Sequence, residues 1–127
     1  MPADFQGGGD SVIHTAFNPA YRQDATALLQ VASERHVGTM VIKTFARGPW
    51  GEQKQRYHTW YQPFDEPKGI ERTLRFTLSQ PVTGAISAGD AQLLPMILDA
   101  AECFQPMSGA EQADLLATAD SYEPIFT

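Results

Sequence analysis

Lys43 is a residue with clear chemical potential, because it comes at the end of an apolar, β-branched run that predicts a strand. A lysine at the carboxyl end of a parallel strand can contact the phosphate groups of a bound cofactor, or it can extend into solvent at the rim of the sheet. The sequence leaves both roles open. In either case, residues 37–50 predict a strand whose carboxyl end carries a site.

A second group of candidate residues is aromatic and lies in a long loop predicted over residues 48–68. Loops of this length in compact domains are often binding loops or lids. Flat apolar rings suit a carbonyl substrate, but they can equally cover the end of a sheet as a small additional core. Trp50, Trp60 and Tyr61 are the predicted substrate contacts, and the group also contains Tyr57 and Phe64.

Other kinds of site find no support in the residue spacing. His36 and His58 have no partner ligands at the spacing that zinc requires, and the motifs Gly-x-Ser-x-Gly and Gly-x-Gly-x-x-Gly are absent from the sequence. Cys103 is the single cysteine, so the chain has no intramolecular disulfide, and its alanine-rich neighbourhood indicates packing rather than a reactive thiol. His14, near the middle of a predicted strand, is either an interior histidine or a cofactor contact.

Composition limits the classes of function. The chain has 127 residues, is 43% hydrophobic and carries a net charge of -6. This size suffices for one domain with a core, and the acidic balance provides no electrostatic basis for binding nucleic acid or an anionic membrane. No apolar run approaches about 20 residues, and we expect neither a spanning helix nor a signal peptide. We therefore predict a soluble protein of the reducing cytoplasm.

Hydrophobic periodicity predicts strands and helices in alternation. A glycine-rich lead-in, residues 1–10, precedes the first strand, and Gly38 is the predicted left-handed cap of the first helix. Asp65 is the predicted cap of the second helix, and Ser108 with Glu111 forms a predicted capping box for the last. The predicted strands cover residues 11–18, 39–46 and 82–86. The first two predicted helices cover residues 24–36 and 65–79. A third predicted helix begins at residues 89–90, and a fourth begins near residue 108.

This alternation is typical of an α/β fold with parallel strands and crossover helices. The pattern alone allows either a small doubly wound sheet or part of a (β/α)8 barrel, because both are built from right-handed βαβ units. A complete barrel needs about 250 residues, far more than this chain contains.

Three stretches resemble the aldo/keto reductase family. VGTMVIKTFARG is similar to the family's seventh barrel strand and the loop after it, VIHTAFN to the sixth strand, and LRFTLSQPVTGAI to the helix and strand that close the barrel. The resemblance implies a partial (β/α)8 TIM barrel of about three C-terminal βα units plus a terminal helix. Residues 11–127 are then the C-terminal portion of that barrel.

The resemblance also implies which residues contact a nicotinamide dinucleotide. His14 stands where the family has a glutamine that holds the nicotinamide amide, and Ile42 stands where a side chain packs on the nicotinamide ring. Lys43, Thr44 and Phe45 match the loop around the pyrophosphate. Gly89 lies in the turn after the last strand, which lacks the arginine or lysine used for the adenosine 2'-phosphate, so NADP and NAD both remain candidates.

The implied chemistry is reduction of an aldehyde or ketone by hydride from NAD(P)H. The family's catalytic aspartate, tyrosine, lysine and histidine belong to the first four strand units, which this chain does not resemble, so we predict no catalytic residue here and no activity of the chain alone. The alternative is a non-catalytic barrel remnant or a small α/β interaction module. Open sheet edges lead us to expect self-association, aggregation, or folding only with a complementary half.

Overall fold

The computed structural model describes residues 25–123 and residue 125. The predicted strand over residues 11–18, including His14, lies outside these residues. The described helices are α1 (Thr26–Glu34), α2 (Pro67–Leu78), α3 (Leu94–Glu102) and α4 (Gly109–Ala117), and the described strands are β1 (Met40–Val41), β2 (Ala46–Pro49), β3 (Tyr61–Pro63) and β4 (Gly84–Ala85).

Helix α1 ends differently from the prediction. Leu29 and Ala32 face the core, as the helical spacing of apolar residues predicts. The chain leaves the helix through His36, whose φ of 55° is left-handed, and the peptide N–H of Val37 donates to the carbonyl oxygen of Ala32 at 2.8 Å. The prediction of Gly38 as the left-handed cap is therefore wrong, because His36 already makes the reversal that such a cap provides.

The strand predicted over residues 39–46 is interrupted after Val41. Lys43 has a φ of 58°, a left-handed conformation that a continuous strand does not contain. The chain turns there, and the peptide N–H of Ala46 donates to the carbonyl oxygen of Lys43 at 3.1 Å. The next strand, β2, pairs antiparallel with β3 and has a bulge between Ala46 and Gly48. Part of the predicted long loop, residues 48–68, therefore belongs to a hairpin made of β2 and β3.

Helix α2 buries apolar residues at four-residue spacing, and Leu78 at the end of this series is partly buried. Ile70 and Leu74 are buried on one side, and Pro67 occupies the first turn, where its missing N–H costs no hydrogen bond. Asp65 does not cap this helix. Its carboxylate instead accepts a hydrogen bond from the Tyr57 hydroxyl at 3.1 Å, and Glu66 is the residue at the N-cap, without a side-chain cap bond.

Strands β1 and β4 pair in parallel, with Met40 opposite Gly84 and Val41 opposite Ala85. Two threonines reinforce the start of the pair: the peptide N–H of Thr39 donates to Thr83 Oγ1 at 2.8 Å, and the peptide N–H of Thr83 donates to the carbonyl oxygen of Thr39 at 2.9 Å. Because α2 lies between these strands in the chain, the segment contains the parallel crossover that the alternating pattern predicts.

The two faces of this parallel pair differ in their surroundings. Val41 is buried and belongs to the core cluster that also contains Leu29 of α1 and Leu74 of α2. Side chains alternate along a strand, and the opposite face presents Met40, Ile42 and Ile86, which are 50%, 41% and 48% exposed. We call these three residues the uncovered strand face.

The last two helices complete the described core. Leu93 and Ile97 are buried at α3, whereas Leu94 and Leu98 are exposed. The predicted capping box of α4 is confirmed: Ser108 accepts from the Glu111 N–H, and the Glu111 carboxylate accepts from the Ser108 N–H. The described residues therefore form a mixed α/β structure, as the sequence predicts, although its strands are shorter than expected.

Candidate functional site at the strand ends

The carboxyl ends of β1 and β4 lie side by side, because the two strands are neighbours and run in the same direction. The segment that begins at Lys43 and the turn over residues 87–90 each follow one of these strands. The parallel pairing places the starts of these two segments at the same end of the strand pair. In open α/β sheets and in barrels, this edge is where ligands usually bind.

Lys43, which is half-buried, and Trp60, which is exposed, lie next to each other in this region. The Lys43 Nζ lies 4.9 Å from the centre of the Trp60 ring, and the Trp60 ring contacts Tyr61 edge to face with centroids 5.6 Å apart. Trp60 is 58% exposed, which is high for a residue of its size. A cation above an exposed indole can present both a charge and a flat apolar surface to a ligand.

Ile42 and Gly89 are also accessible at this edge. Ile42 is 41% exposed, on the uncovered strand face, so its side chain is available for the ring contact that the sequence predicts. Gly89 is exposed, and a Cβ placed there would come no closer than 4.0 Å to the His58 carbonyl oxygen. Both residues remain predicted cofactor contacts.

Thr44 and Phe45 are placed differently. Their exposed fractions are 0% and 1%, and Phe45 belongs to the core cluster. The Phe45 carbonyl oxygen accepts from the Phe64 N–H at 2.8 Å, which holds the segment against the end of the hairpin. The buried Thr44 Oγ1 has no hydrogen-bond partner within the described part of the chain. Neither side chain reaches the surface beside Lys43, so a pyrophosphate contact from this pair would come from the backbone.

The aromatic residues divide into buried and exposed members. Trp50 is 8% exposed, and its indole N–H donates to the Thr59 carbonyl oxygen at 2.6 Å. Tyr61 is 6% exposed, and burial raises the pKa of its hydroxyl. Trp50 and Tyr61 therefore pack the segment between β2 and β3 as a small core, whereas Trp60 is the predicted substrate contact that presents its ring to solvent.

Tyr57 and Asp65 form a polar contact beside this small core. The Tyr57 ring stacks on Trp50 with centroids 6.5 Å apart, and its hydroxyl donates to Asp65, which also lies 3.4 Å from the Arg56 guanidinium. Desolvation is the main cause that raises the pKa of Tyr57, and the hydrogen bond to Asp65 is the second. The hydrogen bond and the raised pKa together indicate a structural contact, in which Tyr57 connects the loop to Asp65 just before α2.

Asp90 is a residue whose importance the sequence does not reveal. Its carboxylate accepts hydrogen bonds from the peptide N–H groups of His58 and Gln92, both at 2.8 Å, and these bonds lower its pKa. Asp90 thereby connects the aromatic segment to the turn after β4. The sequence offered one signal, the Gly89-Asp90 pair, since aspartate often bonds to the backbone N–H two residues on, but the bond to His58 is a tertiary contact.

The described residues also bear on other kinds of site. Over residues 25–123, no group of histidine, cysteine or carboxylate side chains is arranged to hold a metal ion. In the same part of the chain, no helix has the length and apolar character needed to cross a bilayer. Comparison with protein families, with curated proteins and with solved structures finds no match to this chain.

Proposed function

We propose that this chain is the C-terminal portion of a cytoplasmic, NAD(P)-dependent aldo/keto reductase barrel and contributes part of the dinucleotide-binding edge. The observation that carries the proposal is the parallel pair β1 and β4, joined through α2, with Lys43 and Gly89 following the two carboxyl ends. This arrangement agrees with the resemblance in VIKTFARG and LRFTLSQPVTGAI, which comes from the sequence alone.

The uncovered strand face also supports a barrel origin. In a (β/α)8 barrel, helices cover the outer face of each strand and branched apolar side chains fill the interior. Here Val41 is buried in the core cluster that includes residues of α1 and α2, while Met40, Ile42 and Ile86 on the opposite face are 50%, 41% and 48% exposed. That distribution is the one expected for strands taken from a closed barrel.

The residues at this edge fit a nicotinamide dinucleotide in part. Lys43 supplies a cation for the pyrophosphate, Ile42 an apolar surface for the nicotinamide ring, and Gly89 a close approach for the backbone. When bound, the dinucleotide would supply the hydride for carbonyl reduction. The role of this chain's residues is to bind and orient it, because the proton donor of the family belongs to units that this chain does not resemble.

Dinucleotide binding tests the proposal through the charge at Lys43. We expect NADPH or NADH to quench the intrinsic tryptophan fluorescence, and the variant Lys43→Met to weaken binding about tenfold or more, the loss expected for a hydrogen bond to a charged group. Lys54→Met is the matched control, since Lys54 is an exposed lysine of the loop between β2 and β3.

Complementation provides the second measurement. Mixed with the upstream strand units of an aldo/keto reductase, the chain should support aldehyde-dependent oxidation of NADPH or NADH, with a loss in Lys43→Met and none in Lys54→Met. If the chain neither binds a dinucleotide nor complements, the proposal is wrong. The result would then favour an interaction module built on the uncovered strand face.

A further inference from the structure

A groove lies between α2 and α4, on a part of the surface that shares no lining residue with the strand ends. It has a volume of about 500 Å³, which is within the range of small-molecule sites. Met107 and Leu115, which are 9% and 3% exposed, supply an apolar part of its lining. Three cations of α2 and three carboxylates supply most of the polar part. Such a groove suits a small molecule that has both an apolar portion and charged groups.

One pair of these charges stabilises the fold. The Arg75 Nη2 donates to the Glu111 carboxylate at 2.9 Å, and the Arg75 Nε donates to the Gln105 carbonyl oxygen at 2.9 Å. Glu111 also accepts from the Ser108 N–H in the capping box of α4. Arg75 and Glu111 therefore join α2 to the start of α4, and the other charges of the groove are the candidates for contact with a ligand.

Arg72 is the candidate for binding a negative group. It is half-buried, and its Nη2 donates to the Tyr122 hydroxyl at 3.4 Å, which is long for a hydrogen bond. Its buried Nε has no acceptor among the described residues, and none of their carboxylates forms an ion pair with it. A partly buried guanidinium without a counter-ion is costly, and an anionic ligand group removes that cost. Lys68 lies four residues earlier on the same helix face and adds a second cation.

The α4 side of the groove carries the complementary charge. Asp114 is exposed and forms no ion pair within the described part of the chain. Together with Glu71 it balances the charges of Lys68 and Arg72, so the groove as a whole is neutral. A ligand with only negative charge is repelled by Asp114, and a ligand with only positive charge is repelled by Arg72. The charges therefore select a ligand that carries both signs.

We infer that this groove binds a small zwitterion, an α-amino acid with a large apolar side chain. Its carboxylate binds the Arg72 guanidinium, which can donate two parallel hydrogen bonds to such a group. Its ammonium group pairs with Asp114, and its side chain packs on Met107 and Leu115. This inference rests on the groove alone and does not depend on dinucleotide binding at the strand ends.

A titration of the full chain with L-phenylalanine, followed by the amide chemical shifts in NMR spectra, tests the inference. Saturable shifts are expected at the amides of Asp114 and Leu115. Hydrocinnamate, which lacks the ammonium group, and phenethylamine, which lacks the carboxylate, should each bind about tenfold or more weakly, the loss expected for a hydrogen bond to a charged group. The inference is overturned if L-phenylalanine causes no saturable shift, or if either analogue binds as tightly.

Substitutions at the two walls assign the contacts. Arg72→Gln and Asp114→Asn should each weaken L-phenylalanine binding about tenfold. The matched controls Arg35→Gln and Asp99→Asn replace exposed charges at α1 and α3, outside the groove, and should leave the affinity unchanged. Because Asp114 is exposed, Asp114→Asn should keep the fold even if Arg72→Gln does not. Unchanged affinity in Asp114→Asn would overturn the inference, as would an equal loss in Asp99→Asn.

Discussion

Gly69 controls how closely α2 approaches the hairpin, and its replacement by alanine gives a quantitative test of the packing. A Cβ at this position would lie 2.8 Å from Cδ1 of Phe64 and 3.2 Å from its Cβ and Cγ. The Phe64 ring is 4% exposed and contacts Tyr122 edge to face, with centroids 5.6 Å apart. It has little room to rotate away, so Gly69→Ala forces α2 and the hairpin apart.

Two opposing effects determine the size of the change. Alanine favours the helix over glycine by at most about 1 kcal/mol, and less in a first turn. Overpacking a buried site costs about 1–3 kcal/mol. We therefore expect Gly69→Ala to lower the free energy of unfolding by about 1 kcal/mol. Gly109→Ala is the matched control, because Gly109 also starts a helix but has no atom within 4 Å of the added Cβ.

Urea denaturation followed by far-UV circular dichroism measures the difference between the two variants. Gly109→Ala should be neutral or stabilising by a few tenths of a kcal/mol, up to about 1 kcal/mol. The midpoint should fall for Gly69→Ala while the slope stays unchanged, since the surface exposed on unfolding is the same. Equal stability of the two variants would contradict the packing described for Phe64 and Gly69.

Two further predictions concern the site. Hydrogen bonds lower the pKa of Asp90, so its contribution to stability is present above the unfolded aspartate pKa of about 3.9 and is lost as pH falls through the lower folded value. Thermal unfolding at pH values from neutral to acidic should show this loss of stability in the unmodified chain and in the control Asp114→Asn. The variant Asp90→Asn should not show it. A loss of equal size in Asp90→Asn would contradict the role of the Asp90 carboxylate. The chain alone should not reduce carbonyl compounds, because the reaction needs a positioned proton donor. The measurement is NAD(P)H oxidation with a panel of aldehydes. A rate comparable to the rate of an intact family member would show this expectation to be wrong.

The elements that follow hydrophobic periodicity could be predicted from the sequence. The stripe of Ile70 and Leu74 predicts α2, and Ser108 with Glu111 predicts the start of α4. The break after Val41 could not be predicted, because a lysine with a left-handed φ depends on tertiary context rather than on local preference. The hairpin of β2 and β3 could not be predicted either, because its pairing also depends on tertiary context.

The position of the candidate site stays a prediction, and its details depend on the fold. A lysine after a predicted strand points to the end of the sheet where parallel strands finish, and that inference needs only the direction of the strands, which the pairing of β1 with β4 confirms. Which aromatic rings are exposed depends on partners that the sequence does not reveal, such as the Thr59 carbonyl oxygen that satisfies Trp50. The link from Asp90 to His58 spans 32 residues and has no local signal.

The hydrogen bonds between Thr39 and Thr83 have a consequence for the order of events during folding. They join residues 44 positions apart, whereas the hairpin of β2 and β3 closes within that interval. Loop-closure entropy grows with the length of the closed segment, so the hairpin and α2 should form before β1 meets β4. During synthesis, β1 emerges well before its partner strand. Until residue 83 is available, the edge of β1 that later pairs with β4 stays unpaired. The nascent chain therefore passes through an interval in which association with other chains competes with folding.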